Sequence, residues 1–222
     1  MILDVKNLTK SYLLDKEILS RLSFTVEPGD IHIIYGRSGS GKTTFLNCLS
    51  GVTVPESGQL DILGTDMMRL TEDERADFRL QHIGILYQFF NLLPSLTIRE
   101  NIQLPAQLLG IERTSFLADL AHQFGISDIL SKTPDQCSGG ECQRAALCRA
   151  LICKPSLILA DEPTGNLDTR SRDLVLSYLR HLASEKKMGM VIASHDEALM
   201  QMADVVWYLD NGQLRRDDVT AT

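Results

Sequence analysis

The stretch Gly36-Arg37-Ser38-Gly39-Ser40-Gly41-Lys42-Thr43, GRSGSGKT, decides how the rest of the chain is read. It matches G-x-x-x-x-G-K-[ST]. Its glycines let the backbone turn tightly and bring successive N–H groups onto phosphate oxygens. A helix starting at the end of the loop adds free amides and a dipole that favour an anion. Lys42 is placed to reach the β- and γ-phosphates of a nucleotide, and the Thr43 hydroxyl to hold Mg²⁺. The competing reading is a chance glycine-rich turn. Against it stand the flanks, which the motif requires: IHIIY before it reads as a strand and KTTFLNCLSG after it as a helix.

Further short apolar runs rich in Ile and Val follow the same plan: IGILYQ at Ile83–Gln88, LILADE at Leu157–Glu162 and MVIAS at Met190–Ser194. Each is bounded by Gly, Asp or polar residues, as in strands buried on both faces of a parallel sheet. Amphipathic patterns lie between them, for example Ser171–Lys186, and the alternation implies an α/β fold. Near the front, RLSFTVEPGD and GQLDILG read as antiparallel strands, with Pro28-Gly29 as a turn. From about Asn91 to Leu151 there is no convincing strand; Ile98–Leu109 and Ser115–Phe124 are helix-like. The expected organisation is one domain over 1–222, with a nucleotide-binding core at 1–88 and 152–222 and an inserted helical subdomain at 89–151.

Composition narrows the partners. A chain of 222 residues can bury a sizeable core. A net charge of −7 gives no general attraction to nucleic acid or to an anionic membrane surface. No stretch approaches the roughly 18 apolar residues of a membrane span, and the N-terminus does not read as a secretory signal. The expected compartment is the cytoplasm, with the five cysteines as reduced thiols. Cys137, Cys142, Cys148 and Cys153 cluster in sequence. On one helix, Cys142 and Cys148 would face about 120° apart, and Cys142 and Cys153 would lie roughly 16 Å apart along the axis. That argues for packing rather than a tetrahedral metal site.

Two more elements carry chemistry. LILADE puts Asp161 and Glu162 at the end of a buried strand, Asp161 suited to Mg²⁺ and Glu162 to general base for an attacking water. Ser138-Gly139-Gly140 precedes a helical pattern through Leu151, a serine hydroxyl and bare amides at a helix N-terminus. This is a second phosphate-binding surface, and one nucleotide has no evident need of two from one chain. A dimer accounts for both, each chain offering this surface to the ATP held by the other.

With these residues together, the whole chain resembles the nucleotide-binding subunit of an ABC transporter. The resemblance rests on GRSGSGKT, Gln88 of LYQFFNLLP, the signature CSGGE, LILADE, Asn166–Asp168 and the ASHD around His195. It implies a P-loop NTPase (RecA-like) core with an antiparallel β subdomain and a helical insertion. It also implies ATP and Mg²⁺ as cofactors, with ATP contacts at Gly36, Arg37, Ser38, Gly39, Ser40, Gly41, Lys42, Thr43 and Thr44, and from Ser138, Gly139, Gly140 and Glu141. By the same likeness Tyr12 stacks on adenine, Gln88 joins Mg²⁺ and water to the membrane partner, His195 contacts the γ-phosphate and Asp168 crosses the dimer.

The signature departs from the usual LSGGQ: Cys137 replaces leucine, Glu141 replaces glutamine, and Cys142 follows. Ser138–Gly140 remain, so the expectation is a competent site with weaker dimer affinity or a lower rate. YQFFNLLPSLTIRENIQLP and DEPTGNLD resemble the subgroup of lipoprotein-release, macrolide-export and antimicrobial-peptide-resistance ATPases, with the cell-division ATPase nearby. That implies a homodimer, on the inner face of the cell membrane, bound to integral membrane subunits with a large extracytoplasmic domain. Phe89, Phe90, Leu92, Leu93 and Leu96 then divide between helical core and a groove for a short helix of that partner.

Three rival readings stand beside this one: a non-transport relative acting on DNA or ribosomes, a small-molecule kinase, and a regulatory ATPase that gates cell-wall hydrolases. A DNA-acting relative would carry a long coiled coil between loop and signature, but only 94 residues lie between Thr43 and Ser138. The ribosomal kind usually has two cassettes. A small-molecule kinase does not explain Ser138–Gly140 or His195. A regulatory ATPase of a cell-wall hydrolase complex shares the same residues.

Overall fold

The computed structural model describes residues 1–13 and 16–217. Two sheets organise it. The first, of four strands in the order β2-β1-β4-β5, is antiparallel: β1 (Leu3–Leu13), β2 (Lys16–Val26), β4 (Ser57–Ile62) and β5 (Thr65–Asp66). The two strands expected at the front are β2 and β4. They do not pair with each other, because β1 lies between them. The Pro28-Gly29 turn closes with the Asp30 N–H donating to the Glu27 carbonyl at 3.1 Å.

The second sheet has six strands in the order β10-β9-β3-β8-β7-β6. They are β3 (Ile31–Tyr35), β6 (Ile83–Leu86), β7 (Leu157–Asp161), β8 (Gly189–Ala193), β9 (Val205–Asp210) and β10 (Gln213–Asp217). All neighbours are parallel except β9 and β10. Period-two alternation sends its central strands into two cores. Ile34, Leu157, Leu159, Val191 and Ala193 meet Phe45, Leu46 and Leu49 of α1 (Lys42–Leu49) and the inner face of the first sheet. Ile31, Ile33, Ile158, Ala160, Met190 and Ile192 face the other way. There they meet α3 (Ile98–Leu108), α4 (Thr114–Gln123), α5 (Gly139–Leu151) and α6 (Thr169–Lys186). Burial on both faces is why these strands read as unbroken apolar runs.

The sequence reading passed over α2 (Glu72–His82), α7 (Glu197–Gln201), β1, β9 and β10. It also ran β6, β7 and β8 long, the last of them by Ser194. Tyr87 and Gln88 lie beyond β6, and Glu162 lies beyond β7, where its φ of 50° turns the chain left-handed.

Between β6 and β7 the chain is helical, and a close backbone approach joins this part to the sheet. A Cβ on Gly84 would stand 2.4 Å from the Ala150 carbonyl oxygen and 2.5 Å from Ile158 Cδ1, so β6 and the end of α5 approach as closely as bare backbone allows. Gly84→Ala is expected to cost about 1–3 kcal/mol of overpacking. In a thermal melt that corresponds to about 2–4 °C for each kcal/mol at this chain length; an unshifted melt would mean α5 moves aside freely. Within the helical part itself, Arg149 ties α5 to the segment after β6. Its guanidinium donates to the carbonyls of Phe90 and Asn91, both at 2.6 Å. Those two residues have φ of 59° and 50°. Burial lowers the Arg149 pKa, so both bonds come from a desolvated cation.

Candidate functional site

The C-terminal ends of β3, β7 and β8 open on one cavity of about 590 Å³. Ile18, Gly36, Ser38, Gly39, Gly41, Lys42, Thr43, Thr44, Gln88, Asp161, Glu162 and His195 line it. The loop after β3 forms its base. Gly36 is required there, since a Cβ would stand 2.3 Å from the Leu209 carbonyl oxygen of β9. Gly41 has φ 103°, a left-handed position that favours glycine, and it opens α1. The α1 N-terminus has no side-chain cap and no acidic residue in its first turn. Helices α2, α3 and α5 each carry a full capping box instead. The bare amides of α1 are therefore free for an anion. Lys42 Nζ curls over the loop, donating to the carbonyls of Gly36 at 2.7 Å and Arg37 at 3.2 Å.

Across the cavity the Thr43 hydroxyl donates to Asp161 Oδ2 at 2.7 Å. Burial raises the Asp161 pKa, with the Thr43 bond opposing it. Next to it, Glu162 is held at every polar group. Its N–H donates to the Ala193 carbonyl of β8 at 2.9 Å, and its carbonyl accepts from Gln143 Nε2 at 2.9 Å. Oε2 accepts from the Ser194 hydroxyl at 3.0 Å, and Oε1 lies 2.8 Å from His195 Nδ1. The carboxylate is largely buried, 14% exposed, while the histidine is 84% exposed and faces open space. A carboxylate fixed beside an anion-binding loop, with an imidazole at its mouth, can accept a proton from a water held between them.

The other residues singled out in the sequence lie elsewhere. Arg37 and Ser40 belong to the loop but do not line the cavity. Ser40 Oγ is buried without a hydrogen-bond partner. Tyr12 stands on β1, 56% exposed, with Lys10 Nζ 5.4 Å from its ring centroid. Ser138, Gly139, Gly140 and Glu141 form the start of α5, and Asp168 caps α6 by accepting from the Ser171 N–H at 3.0 Å. None of these lines the cavity.

Glu141, a departure from the usual signature, is the third residue of a capping box, like Glu74 in α2 and Glu100 in α3. Its Oε2 accepts from both the N–H and the hydroxyl of Ser138, each at 2.7 Å. These two bonds, the backbone one first, hold its carboxyl below the usual carboxylate pKa. The cysteines pack. Cys142 and Cys148 are buried within α5, while Cys137 and Cys153 fall just outside it rather than on one shared helix. The Cys137 and Cys142 thiols donate to the carbonyls of Thr133 and Pro134, each at 3.5 Å.

Sequence reasoning missed Ile18, Ser194 and Gln143. Ser194 lies in ASHD, where a serine at a strand end has no chemistry of its own beside the adjacent His195. Ile18 is an ordinary strand residue, and Gln143 a polar residue inside a helix, so neither carries a pattern.

A second cavity, also about 590 Å³, lies between α2, β6, α3 and the end of α5. Leu80, Ile83, Ile85, Tyr87, Leu108 and Arg149 are among its walls. None of Phe89, Phe90, Leu92, Leu93 and Leu96 lines it. Phe90 and Leu92 pack against the core, whereas Phe89 is 82% exposed and Leu93 is exposed.

Residues 19–165 match the ABC transporter family. Among curated proteins, the chain is 40% identical over 219 residues to the bacitracin export ATP-binding protein BceA of Halalkalibacterium halodurans, covering 96% of this chain and 87% of that one. It is 38% identical over 220 residues to the lipoprotein-releasing system ATP-binding protein LolD of Colwellia psychrerythraea, covering 96% and 85%. Among solved structures, the dimeric ATP-binding cassette MJ0796 bound to ADP and Pi in a post-hydrolysis state superposes with a TM-score of 0.93 at 29% identity, each chain covered completely. The loop, the buried carboxylates and these likenesses agree: the chain belongs to the ABC transporter family, as an ATP-binding, ATP-hydrolysing cassette.

Proposed function

We propose that two copies of this chain close on two ATP molecules and so drive a membrane subunit in export or extraction, of lipoprotein, peptide or drug type. One observation carries this reading. The cavity holds the phosphate loop, Asp161, Glu162 and His195, while the second phosphate-binding surface, Ser138–Gly140, lines none of it. The Gly139 and Gly140 amides of that surface are left for the nucleotide of another copy, which would take the Ser138 N–H and hydroxyl over from Glu141, with Asp168 at the crossing.

In this reading the loop amides and Lys42 hold the phosphates, and Tyr12, on β1 outside the cavity lining, reaches the adenine. Thr43 and Asp161 offer hard oxygen donors that fit Mg²⁺, an ion that takes few protein ligands and keeps phosphate oxygens and water. When bound, the ion draws charge from the β- and γ-phosphate oxygens. Glu162 accepts a proton from water as the water oxygen bonds to the γ-phosphorus and the bond to the bridging oxygen breaks, leaving ADP and phosphate. His195 steadies Glu162 through Nδ1 and turns its other ring nitrogen toward the γ-phosphate. Gln88 lines the same cavity and reports its state to the neighbouring groove, where a short helix of a membrane subunit with an extracytoplasmic domain docks. The second cavity, with its apolar walls, suits that helix. Among the described residues no helix is long and apolar enough to cross a membrane, so the partner supplies the span.

The test is to extract the tagged chain from its native membranes in mild detergent. The expected result is co-purification of an integral membrane protein with a large outer domain, and ATP hydrolysis by the complex. Recovery with a cell-wall hydrolase complex would move the function to regulation. Recovery only with ribosomes or DNA-bound proteins would end the transport reading.

A further inference from the structure

Gln143 is a polar side chain in the first half of α5, only 2% exposed. A buried amide is retained at a cost unless each of its groups finds a partner. Both partners of Gln143 lie in the loop after β7. Nε2 donates to the Glu162 carbonyl at 2.9 Å, and Oε1 accepts from the Asn166 N–H at 3.0 Å. One amide thus brackets the turn that begins at Glu162, spanning the five residues from Glu162 to Asn166. The Gly165 N–H also reaches the Glu162 carbonyl, at a longer 3.3 Å.

What the bracket holds is a glutamate at φ 50°. A side chain rarely adopts this left-handed conformation unless its surroundings over-determine it. Here it aims the carboxylate across the end of β7 to Ser194 and His195. If the carbonyl were released, φ and ψ at Glu162 could relax and the carboxylate would leave that position. The adjacent Arg144 repeats the device, donating from Nη1 to the Ser171 hydroxyl at 2.9 Å, which in turn donates to Asp168 at 2.7 Å.

We infer that Gln143 is a positioning residue for ATP hydrolysis. It holds the Glu162 backbone in its left-handed conformation from α5, the helix whose N-terminus is Ser138–Gly140. The inference rests on the reading of Glu162 as the base. It adds that a chain's own base is fixed by the same helix that meets the other copy's phosphates. A nucleotide seated on Ser138 of one chain therefore bears on the base of that same chain, which serves the other nucleotide.

A double-mutant cycle tests it with the full chain. Gln143→Met keeps the length and helix preference and removes both bonds; Gln143→Glu keeps an acceptor for Asn166 and loses the donor to Glu162. Both are expected to lower kcat by roughly 10- to 100-fold, the scale for a displaced catalytic group, with KM and the affinity for a fluorescent ATP analogue within about twofold. In a Glu162→Gln background the same substitutions are expected to change the residual rate by less than about twofold, because the group they position is gone. An equal loss in both backgrounds, or a fall in kcat with a matching loss of nucleotide affinity, would make Gln143 merely structural and overturn the inference. If Glu162→Gln is inactive while both Gln143 variants hydrolyse at full rate, the inference fails alone. Wild-type hydrolysis by Glu162→Gln would sink the base reading and the inference with it.

Discussion

Glu162→Gln is expected to slow ATP hydrolysis by about 10²–10⁴-fold, the range for loss of a general base, while ATP still binds. The substitution changes little else. Glutamine has the same length, its oxygen accepts from Ser194, and its amide faces His195 Nδ1. The strained backbone keeps its bonds to Ala193 and Gln143. What is lost is a group that takes a proton, together with one negative charge near the γ-phosphate. The second loss favours the nucleotide-bound state. The variant should therefore accumulate as an ATP-bound dimer, seen as a shift in gel filtration when ATP is added. Steady-state phosphate release supplies the rate. Hydrolysis at the wild-type rate would exclude Glu162 as the base and point to a base elsewhere in the cavity.

Lys42→Met is expected to weaken ATP binding by about 10- to 100-fold. Lys42 Nζ is held at the centre of the loop by two carbonyls, a cation prepositioned for the phosphates. A hydrogen bond to a charged group contributes about 1.5–3 kcal/mol, and each 1.4 kcal/mol is about tenfold. Methionine fills the aliphatic part of the space, so the melting temperature should hold within a few degrees. Titration with a fluorescent ATP analogue reads the affinity. An unchanged dissociation constant would show that the loop amides bind the phosphates without the lysine.

The phosphate loop, the four buried parallel strands and the main helices were legible because each carries its own local signal: glycines at fixed offsets, apolar runs, or a period near 3.6. The edge elements were not. No residue of α2 is buried, so it has no apolar stripe to read. Its signature is chemical, the Thr71–Glu74 capping box in TEDE, and the same S/T-x-x-E pattern in SGGE accounts for Glu141. A glutamate that looked like a departure from a phosphate-binding motif is also an ordinary helix start. Within the site, Lys42, Thr43, Asp161 and Glu162 were readable as residue types that bind phosphate or move protons, and His195 only through the family resemblance. Gln143 and Arg149 were not. Each acts on backbone carbonyls brought close by tertiary folding, and a lone glutamine or arginine in a helix has no spacing that announces such a partner.

The sheet order imposes a timetable on synthesis. Strand β3, which carries the phosphate loop, is flanked by β8 on one edge and β9 on the other. Both neighbours are encoded about 150 residues or more further along the chain. At about 5–20 residues per second on the ribosome, roughly 8–30 s pass before either edge can be paired. Through that interval the nascent chain carries an apolar strand with two open edges, so an N-terminal fragment ending before Gly189 would be prone to aggregate and could not assemble the loop.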